Sequence, residues 1–325
     1  MFKVRLFVLA LAGLSAVVAS QSKAATFQED FSTDPAGRGW KVFGDTNLFH
    51  WNPTNQNLEV TWDSSQPNSY FYRPLGTILT SNDDFSLEFD LQLTNAEAGG
   101  YGFELAVGFL RFQDATNANF LRGAGAVTNL LEFNYFPPDE QGDPPSLDVT
   151  TVDTNGLLQF SYDNLPLFTG STNTYHIALT HPAGAAAVSA EISWGGQPYT
   201  SLPNFYSETG FSDFRLDTIA ISSYSGAGQD PSFTGSILAQ GVVDNFVITT
   251  PPAPVGNLTG AFSNAAWQVQ FASRSNWLYT LERTADFQTW MAVSPVVAGN
   301  GTNLFLFDTN AVSDKAFYRV RANRP

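Results

Sequence analysis

Residues 84–93, with the sequence DFSLEFDLQL, decide the fold class of this chain. Apolar and polar residues alternate along the stretch, and on a β-strand alternate side chains point to opposite faces. The two sets are Phe85, Leu87, Phe89, Leu91 and Leu93 on one face, and Ser86, Glu88, Asp90 and Gln92 on the other. The stretch therefore predicts a half-buried strand whose polar face carries two carboxylates roughly 6.6 Å apart.

The same alternation recurs along most of the chain, in short runs separated by Gly, Pro, Asn and Asp turns. The runs are LEVTW (58–62), SYFYR (69–73), GFELAVGFLRF (102–112), LLEFNYF (130–136), YHIALT (175–180), VSAEISW (188–194), LDTIAIS (216–222) and VVDNFVIT (242–249). No stretch has the pattern of an amphipathic helix. The fold class expected is an all-β, jelly-roll sandwich with core-facing residues such as Phe103, Leu105, Val107 and Phe109.

A proline-rich segment indicates a domain boundary. TTPPAP (249–254) follows a typical terminal strand and favours extended, partly stiff backbone. We expect a β-sandwich over 25–248, a linker over 249–260 and a second, small β-module over 261–325. The strands predicted in that module are WQVQFAS, LYTLERT, TNLFLFDT and FYRVRAN.

The beginning of the chain has the pattern of a signal peptide. Lys3 and Arg5 precede an apolar run over 6–19, and the small residues Ser22 and Ala24 frame a cleavage site of the A-x-A kind. Residues 1–24 are therefore predicted to direct export to the cell envelope or the exterior, with no integral membrane span after processing. The alternative is a membrane anchor that is retained, although the apolar run is short for a span.

Composition excludes several kinds of chemistry. The formal net charge is −15, and loss of the three basic residues of 1–24 would change it to −18. An acidic chain without a Lys/Arg cluster disfavours nucleic acid and favours neutral or cationic ligands. The absence of cysteine excludes disulfides and thiol chemistry. His50, His176 and His181 have no ligand-like spacing, so a histidine metal site is not expected.

Aromatic side chains are candidates for sugar binding, because flat rings stack on the CH faces of sugars while polar groups bind the hydroxyls. Trp51 precedes the run SYFYR, in which Tyr70 and Tyr72 share a face and Arg73 follows. The alternative is that these rings fill the core of a chain rich in aromatic residues.

An acidic loop, PPDEQGDPPSLD (137–148), offers oxygen ligands that suit a hard cation such as Ca²⁺. Asp139 and Asp143 are the metal-ligand candidates, with Glu140 and Asp148 beside them. The loop lacks the fixed spacing of a calcium-binding loop, so the alternative is a solvated surface loop. No other cofactor is expected.

Two resemblances add to these expectations. From EDFSTDPAGRGW (29–40) to VVDNFVIT (242–249), the chain resembles the concanavalin A-like lectin/glucanase superfamily, including laminin-G-like modules of secreted bacterial proteins. The tail, with YTLERTADFQTW (279–290) and KAFYRVRA (315–322), resembles a small β-module at the ends of exported proteins of Verrucomicrobia and related bacteria. The second resemblance implies envelope or extracellular placement.

The first resemblance also implies roles for individual residues. The glucanases of this superfamily carry a Glu-x-Asp-x-Glu row of nucleophile, tuning carboxylate and general acid and base. Glu88 and Asp90 match the first two positions, but Gln92 occupies the third. A glutamine has no proton to give to a leaving group. Catalysis would need another acid, and Glu104 and Glu132 occupy outward positions of their predicted strands.

The sequence thus favours a secreted, non-catalytic carbohydrate-recognition or adhesion protein with a glycan or cell-surface polysaccharide as its partner. One alternative is a polysaccharide hydrolase of the same fold, and another is a structural envelope or matrix protein without a small ligand. The candidate ligand-binding residues are Trp51, Tyr70, Tyr72, Arg73, Glu88, Asp90, Gln92 and Glu132.

Overall fold

The computed structural model describes residues 24–99, 104–122, 126–138, 142–165, 173–206, 210–226, 236–263, 266–311 and 316–324. These residues form two compact units that divide between Ala253 and Pro254. The last strand of the large unit ends at Thr250, and the first strand of the small unit begins at Val255. The connection is therefore shorter than the linker expected over 249–260, because both of its ends continue into strands.

The large unit consists of fifteen strands among its described residues. They are β1 (Ala25–Glu29), β2 (Lys41–Phe43), β3 (Phe49–Asn52), β4 (Asn57–Asp63), β5 (Ser69–Leu79), β6 (Phe85–Gly99), β7 (Leu105–Leu110), β8 (Leu130–Phe136), β9 (Ser146–Val152), β10 (Leu158–Asp163), β11 (Thr174–His181), β12 (Ala187–Trp194), β13 (Gln197–Phe205), β14 (Leu216–Ser223) and β15 (Ser236–Thr250). The helical elements are one α-helical turn, α1 (Phe112–Ala115), and 3₁₀ turns at Pro35–Arg38 and Thr46–Leu48.

These strands form two antiparallel sheets. Sheet A has the order β13-β12-β11-β6-β15-β4-β3, with β1 also paired to β15. Sheet B has the order β10-β9-β8-β7-β14-β5-β2. Some neighbours are consecutive strands, as in β7-β8-β9-β10, whereas others are far apart in sequence, as where β6 pairs with β11 and β15. The large unit is an all-β sandwich of the jelly-roll kind, as the sequence predicts.

The hydrophobic core lies between the two sheets. The apolar face of 84–93 is buried as predicted, with Phe89 and Leu87 fully inaccessible to solvent. Phe89 of β6 contacts Phe133 of β8 with ring centroids 6.0 Å apart, and Phe85 contacts Phe109 of β7 edge to face at 5.4 Å. Because alternate residues of each strand point into this layer, the remaining residues form the two outer faces of the sandwich.

Several strands of the large unit were not predicted from the sequence, namely β1, β2, β3, β9, β10 and β13. The strand β9 corrects one expectation, because it begins inside the predicted acidic loop and contains Asp148. Its polar residues Asp148 and Thr150 alternate with the buried Leu147 and Val149, so the pattern is that of a strand. The prolines that precede it at 144 and 145 had favoured a loop.

The small unit contains β16 (Val255–Ser263), β17 (Ala266–Ser273), β18 (Leu278–Thr284), β19 (Met291–Ala292), β20 (Val297–Ala298), β21 (Asn303–Asp308) and β22 (Phe317–Asn323). Sheet C has the order β16-β17-β21. In a second sheet, β18 pairs with β19, β20 and β22. Its core includes Phe271, Tyr279 and Leu306. None of the helices in the described part of the chain has the length and hydropathy needed to cross a bilayer.

Candidate functional site

The polar row of β6 lies on the outer face of sheet A. Asp90 pairs in register with His176 of β11, and His176 Nδ1 lies 2.8 Å from Asp90 Oδ1. The other ring nitrogen lies 3.6 Å from Glu88 Oε2, and Asn245 Nδ2 donates to Asp90 Oδ2 at 2.8 Å. Gln92 pairs with Thr174 at the next outward position. The side chains of Glu88 and His176 are 40% and 43% exposed, so this row is a solvated polar surface.

Trp51 and Arg73 are held by contacts within the large unit. Trp51 is partly buried against the core and donates its indole N–H to Phe31 O at 2.9 Å. The guanidinium of Arg73 lies 3.6 Å from the ring centroid of Phe27, and its Nε donates to Arg38 O. Burial lowers the pKa of Arg73, against the opposing effect of nearby Glu29. Both side chains are thus engaged in packing.

Tyr70 and Tyr72 share the outer face of sheet B, but they are covered. Tyr70 is fully buried and donates its hydroxyl to Ala115 O at 2.9 Å. Tyr72 stacks on Phe112 with centroids 4.2 Å apart. The α1 turn therefore occupies the ring faces that a sugar would need. The structure does not bring Trp51 together with these tyrosines, because Trp51 belongs to sheet A.

The metal candidates are not assembled into a site in the described part of the chain. Asp139 lies outside the described residues, and Asp143 is exposed. Asp148 is buried in β9. Across the described residues, no group of three or more His, Cys, Asp or Glu has an arrangement that could hold a metal ion.

A buried ionic cluster lies on the outer face of sheet B, around Glu132. Arg122 Nε lies 3.4 Å from Glu132 Oε2 and 3.3 Å from Glu104 Oε1. The hydroxyl of Tyr224 donates to Glu132 Oε1. Glu132 is 1% exposed, and Arg122 is 8% exposed. Both oxygens of Glu132 are therefore engaged with side chains that lie over the sheet.

The cluster continues across β9. Thr150 Oγ1 accepts hydrogen bonds from Arg122 Nη2 and Asn134 Nδ2, each at 3.1 Å, and donates to Asp148 Oδ2 at 3.0 Å. Antiparallel pairing explains the assembly, because Glu132 is opposite Thr150 and Asn134 is opposite Asp148. One threonine hydroxyl thus connects the guanidinium to a second buried carboxylate.

Burial perturbs the acids of this cluster. It raises the pKa of Glu132 to about 7, although Arg122 and the Tyr224 hydrogen bond oppose the shift. It raises the pKa of Asp148 to about 7 in the same way, again opposed by Arg122. The pKa of Glu104 is also raised, chiefly by burial. Burial alone would lower the pKa of Arg122, but Glu104 and Glu132 hold it above its ordinary value.

Four polar atoms on this face are buried and have no hydrogen-bond partner among the described residues, namely Asn134 Oδ1, Ser222 Oγ, Asp148 Oδ1 and Glu104 Oε1. Glu104 Oε1 lies 3.3 Å from Arg122 Nε. Asn134 and Ser222 occupy one transverse row of sheet B, with Ala106 between them. Buried polar atoms are ordinarily paired with protein, water or a ligand. The three side chains of this row are fully buried, so its unpaired polar atoms belong to the interior of the covered cluster.

An exposed aromatic pair adjoins the cluster. Phe160 and Tyr162 of β10 are 54% and 62% exposed, and their ring centroids lie 6.2 Å apart in a stacked arrangement. Phe160 is directly opposite Thr150, and Tyr162 is directly opposite Asp148. Sequence reasoning missed this pair. The alternation in LQFSYD (158–163) was the available signal, since it places both rings on one face.

We define the ligand face as the exposed rings of Phe160 and Tyr162, which adjoin the buried cluster at Thr150 and Asp148. Exposed aromatic rings can stack on a molecule that has apolar CH faces. Of the predicted site residues, only Glu132 lies in the adjoining cluster. The exposed row of Glu88, Asp90 and Gln92 belongs to the other sheet.

No protein-family model matches the chain, and no curated protein matches it in sequence. The chain is similar in structure to peanut lectin, at 10% identity and a TM-score of 0.44, over 70% of this chain and 98% of the lectin. It is also similar to the β-glucanase of Bacillus licheniformis, at 12% identity and a TM-score of 0.43, over 69% of this chain and 97% of the glucanase. Lectin I-B4 of Griffonia simplicifolia is a third such structure, at 8% identity and a TM-score of 0.44, over 70% of this chain and 99% of the lectin. At these identities the likeness is one of fold.

Proposed function

We propose that this protein is an exported, non-catalytic carbohydrate-recognition protein that binds a glycan at the ligand face of sheet B. The observation that carries the proposal is the stacked pair Phe160 and Tyr162, whose side chains are 54% and 62% exposed. The rings supply stacking surfaces for the CH faces of sugars.

Charge restricts the class of glycan. The chain has a formal net charge of −15, and the buried carboxylate of Asp148 lies beside the ligand face, directly opposite Tyr162. Sulfated or uronic-acid polymers would meet repulsion there, whereas a neutral or amino-sugar polymer would not. We therefore expect the ligand to be an uncharged or cationic polysaccharide of the cell surface or the surroundings.

Binding is favoured over hydrolysis because the carboxylates are unavailable to a substrate. A general acid must contact the leaving oxygen. Both oxygens of Glu132 are occupied, by Arg122 and by Tyr224, and the residue is 1% exposed. On sheet A, the row ends in Gln92, which cannot supply a proton.

Hydrolysis by the same fold is a second candidate, and one observation favours it. Glu132 and Asp148 both have a pKa of about 7, which suits a group that gives and takes protons near neutral pH. Hydrolysis predicts release of reducing ends from a polysaccharide and loss of that release in Glu132→Gln. Recognition without catalysis predicts no release by either protein.

The test is binding of the mature protein to a glycan array, followed by titration calorimetry with the best ligand. Loss of one stacking contact of roughly 0.5–1.5 kcal/mol should weaken binding by a factor of about 2–13 in Tyr162→Ala or Phe160→Ala. Trp194→Ala is the matched control, because Trp194 is 50% exposed but belongs to sheet A. Equal affinities for Tyr162→Ala and the wild type would reject this site. The absence of binding to any glycan would favour a structural envelope protein instead.

Export is a separate part of the proposal. It is supported by the charged start, the apolar run and the small residues of 1–24. Amino-terminal sequencing of the secreted or envelope fraction should give a chain that begins after Ala24. A mature protein that still begins with Met1 would contradict the proposal.

A further inference from the structure

The outer face of sheet C, in the small unit, carries two exposed aromatic rings. Phe305 and Phe307 of β21 are 44% and 45% exposed, whereas Leu306 between them is buried at 2%. Residues two apart on a strand project to the same side, about 6.8 Å apart. The two rings therefore form a short aromatic stripe along β21.

Polar but uncharged side chains lie beside each ring. Gln268 of β17 is directly opposite Phe307, and Gln270 is directly opposite Phe305. On β16, Ala261 and Thr259 are opposite these two glutamines. Cross-strand partners point to the same face of a sheet. The neutral platform, as we name it, thus consists of Thr259, Ala261, Gln268, Gln270, Phe305 and Phe307.

None of these six side chains can ionise, although the chain as a whole has a net charge of −15. Asp308 of β21 points to the opposite side of sheet C, where Arg283 Nη1 donates to its Oδ2 at 2.6 Å. The carboxylate nearest in sequence is therefore sequestered from the platform. The platform therefore has no fixed charge to pair with an ionic group, and it suits a partner that lacks charge.

We propose that the neutral platform is a second carbohydrate-binding site, for an uncharged polysaccharide. The rings of Phe305 and Phe307 stack on the CH faces of sugar residues, and the amides of Gln268 and Gln270 donate to and accept from hydroxyls beside them. A second copy of this chain is the competing occupant. It is disfavoured because the platform has no charged side chain with which to pair a second copy.

The inference does not rest on the ligand face, because it is argued from different residues in a different unit.

The experiment measures retention of the full chain on insoluble, uncharged polysaccharides, namely cellulose, chitin and mannan. Phe305→Ala/Phe307→Ala should reduce retention on the polymer that the wild type binds by at least about fivefold. The same pair of substitutions is then made in a Phe160→Ala/Tyr162→Ala background. If retention persists in Phe160→Ala/Tyr162→Ala and is lost when Phe305→Ala/Phe307→Ala is added, the residual binding belongs to the small unit. This result does not depend on whether the large unit binds.

Phe262→Ala is the matched control, because Phe262 is 61% exposed on β16 but pairs with Trp267, on the other side of sheet C from the platform. Gln268→Ala and Gln270→Ala probe the platform without removing a ring, and both should weaken retention. Unchanged retention in the phenylalanine and glutamine variants would overturn the proposal. A dimer in analytical ultracentrifugation that Phe305→Ala/Phe307→Ala dissociates, without any effect on retention, would overturn it in favour of self-association.

Discussion

Glu88 and Glu132 point away from each other, on the outer faces of opposite sheets, with the contact between Phe89 and Phe133 in the core between them. The missing acid of the row on β6 therefore cannot come from Glu132. Glu104 lies beside Glu132 and is excluded for the same reason, because both contact Arg122. The two groups of carboxylates are separate features of the protein, with different surroundings and different expected behaviour on mutation.

The row on sheet A is expected to contribute little. Glu88→Gln or His176→Ala should change the free energy of unfolding by less than about 1 kcal/mol, because exposed ion pairs are weak and screened by salt. Neither variant should alter glycan affinity in calorimetry. A large loss of affinity in Glu88→Gln would move the binding site to sheet A.

Arg122 is expected to be important for stability. Replacing it with methionine leaves Glu104 and Glu132 buried without their cation, which typically costs about 3–5 kcal/mol. Urea denaturation should show this loss. Arg111→Met is the matched control, because Arg111 is 41% exposed and lies 3.9 Å from Asp114, so a change below about 1 kcal/mol is expected. Similar losses in both variants would mean that the cluster is not specially stabilised by Arg122.

Stability should depend on pH through the same cluster. The pKa of Glu132 rises from 4.5 to about 7 on folding, and that of Asp148 rises from 3.8 to about 7. The folded protein therefore binds these protons more tightly than the unfolded chain does. Their stabilisation is complete below about pH 4 and is lost as the pH rises through about 7. The midpoint of thermal unfolding should fall by several degrees between about pH 5 and 8.

Glu132→Gln should make that fall smaller, because the amide has no proton to lose. Glu191→Gln is the control, because Glu191 is exposed on β12. In this variant the fall of the unfolding midpoint with pH should be the same as in the wild type. Thermal unfolding followed by circular dichroism across the pH range gives the comparison. If the unfolding midpoint falls equally with pH in Glu132→Gln and in the wild type, the ionisation of Glu132 does not limit stability.

The two units should separate on limited proteolysis. Residues 251–254 lie outside the strands, whereas Thr250 and Val255 are already paired in sheets. Cleavage in this segment of the mature protein should leave two protease-resistant fragments that mass spectrometry assigns to 25–250 and to the remainder beginning near Val255. Early cleavage inside β15 or β16 would show that the strands flanking the connection are not stable.

The sequence predicted the strands with strict alternation well. The apolar face of 84–93 is buried as expected, and the runs that became β8, β11, β12 and β14 are strands. It did not predict β9, because the prolines at 144 and 145 and the acidic residues around them favoured a loop. The sharing of one face by Tyr70 and Tyr72 was predicted correctly. Their covering by Phe112 and Ala115 was not, since those residues follow more than 30 positions later.

The all-β class and the residues of each strand that face the core follow from local alternation, because a period of two is a local property of the chain. The choice of neighbouring strands depends on the tertiary fold. The cluster of Glu104, Arg122, Glu132 and Asp148 depends on the pairing of β7, β8 and β9 and on the loop that carries Arg122. Strand order depends on contacts between distant residues, whose free energy must exceed the entropy cost of closing the intervening loops, and no local pattern encodes that balance.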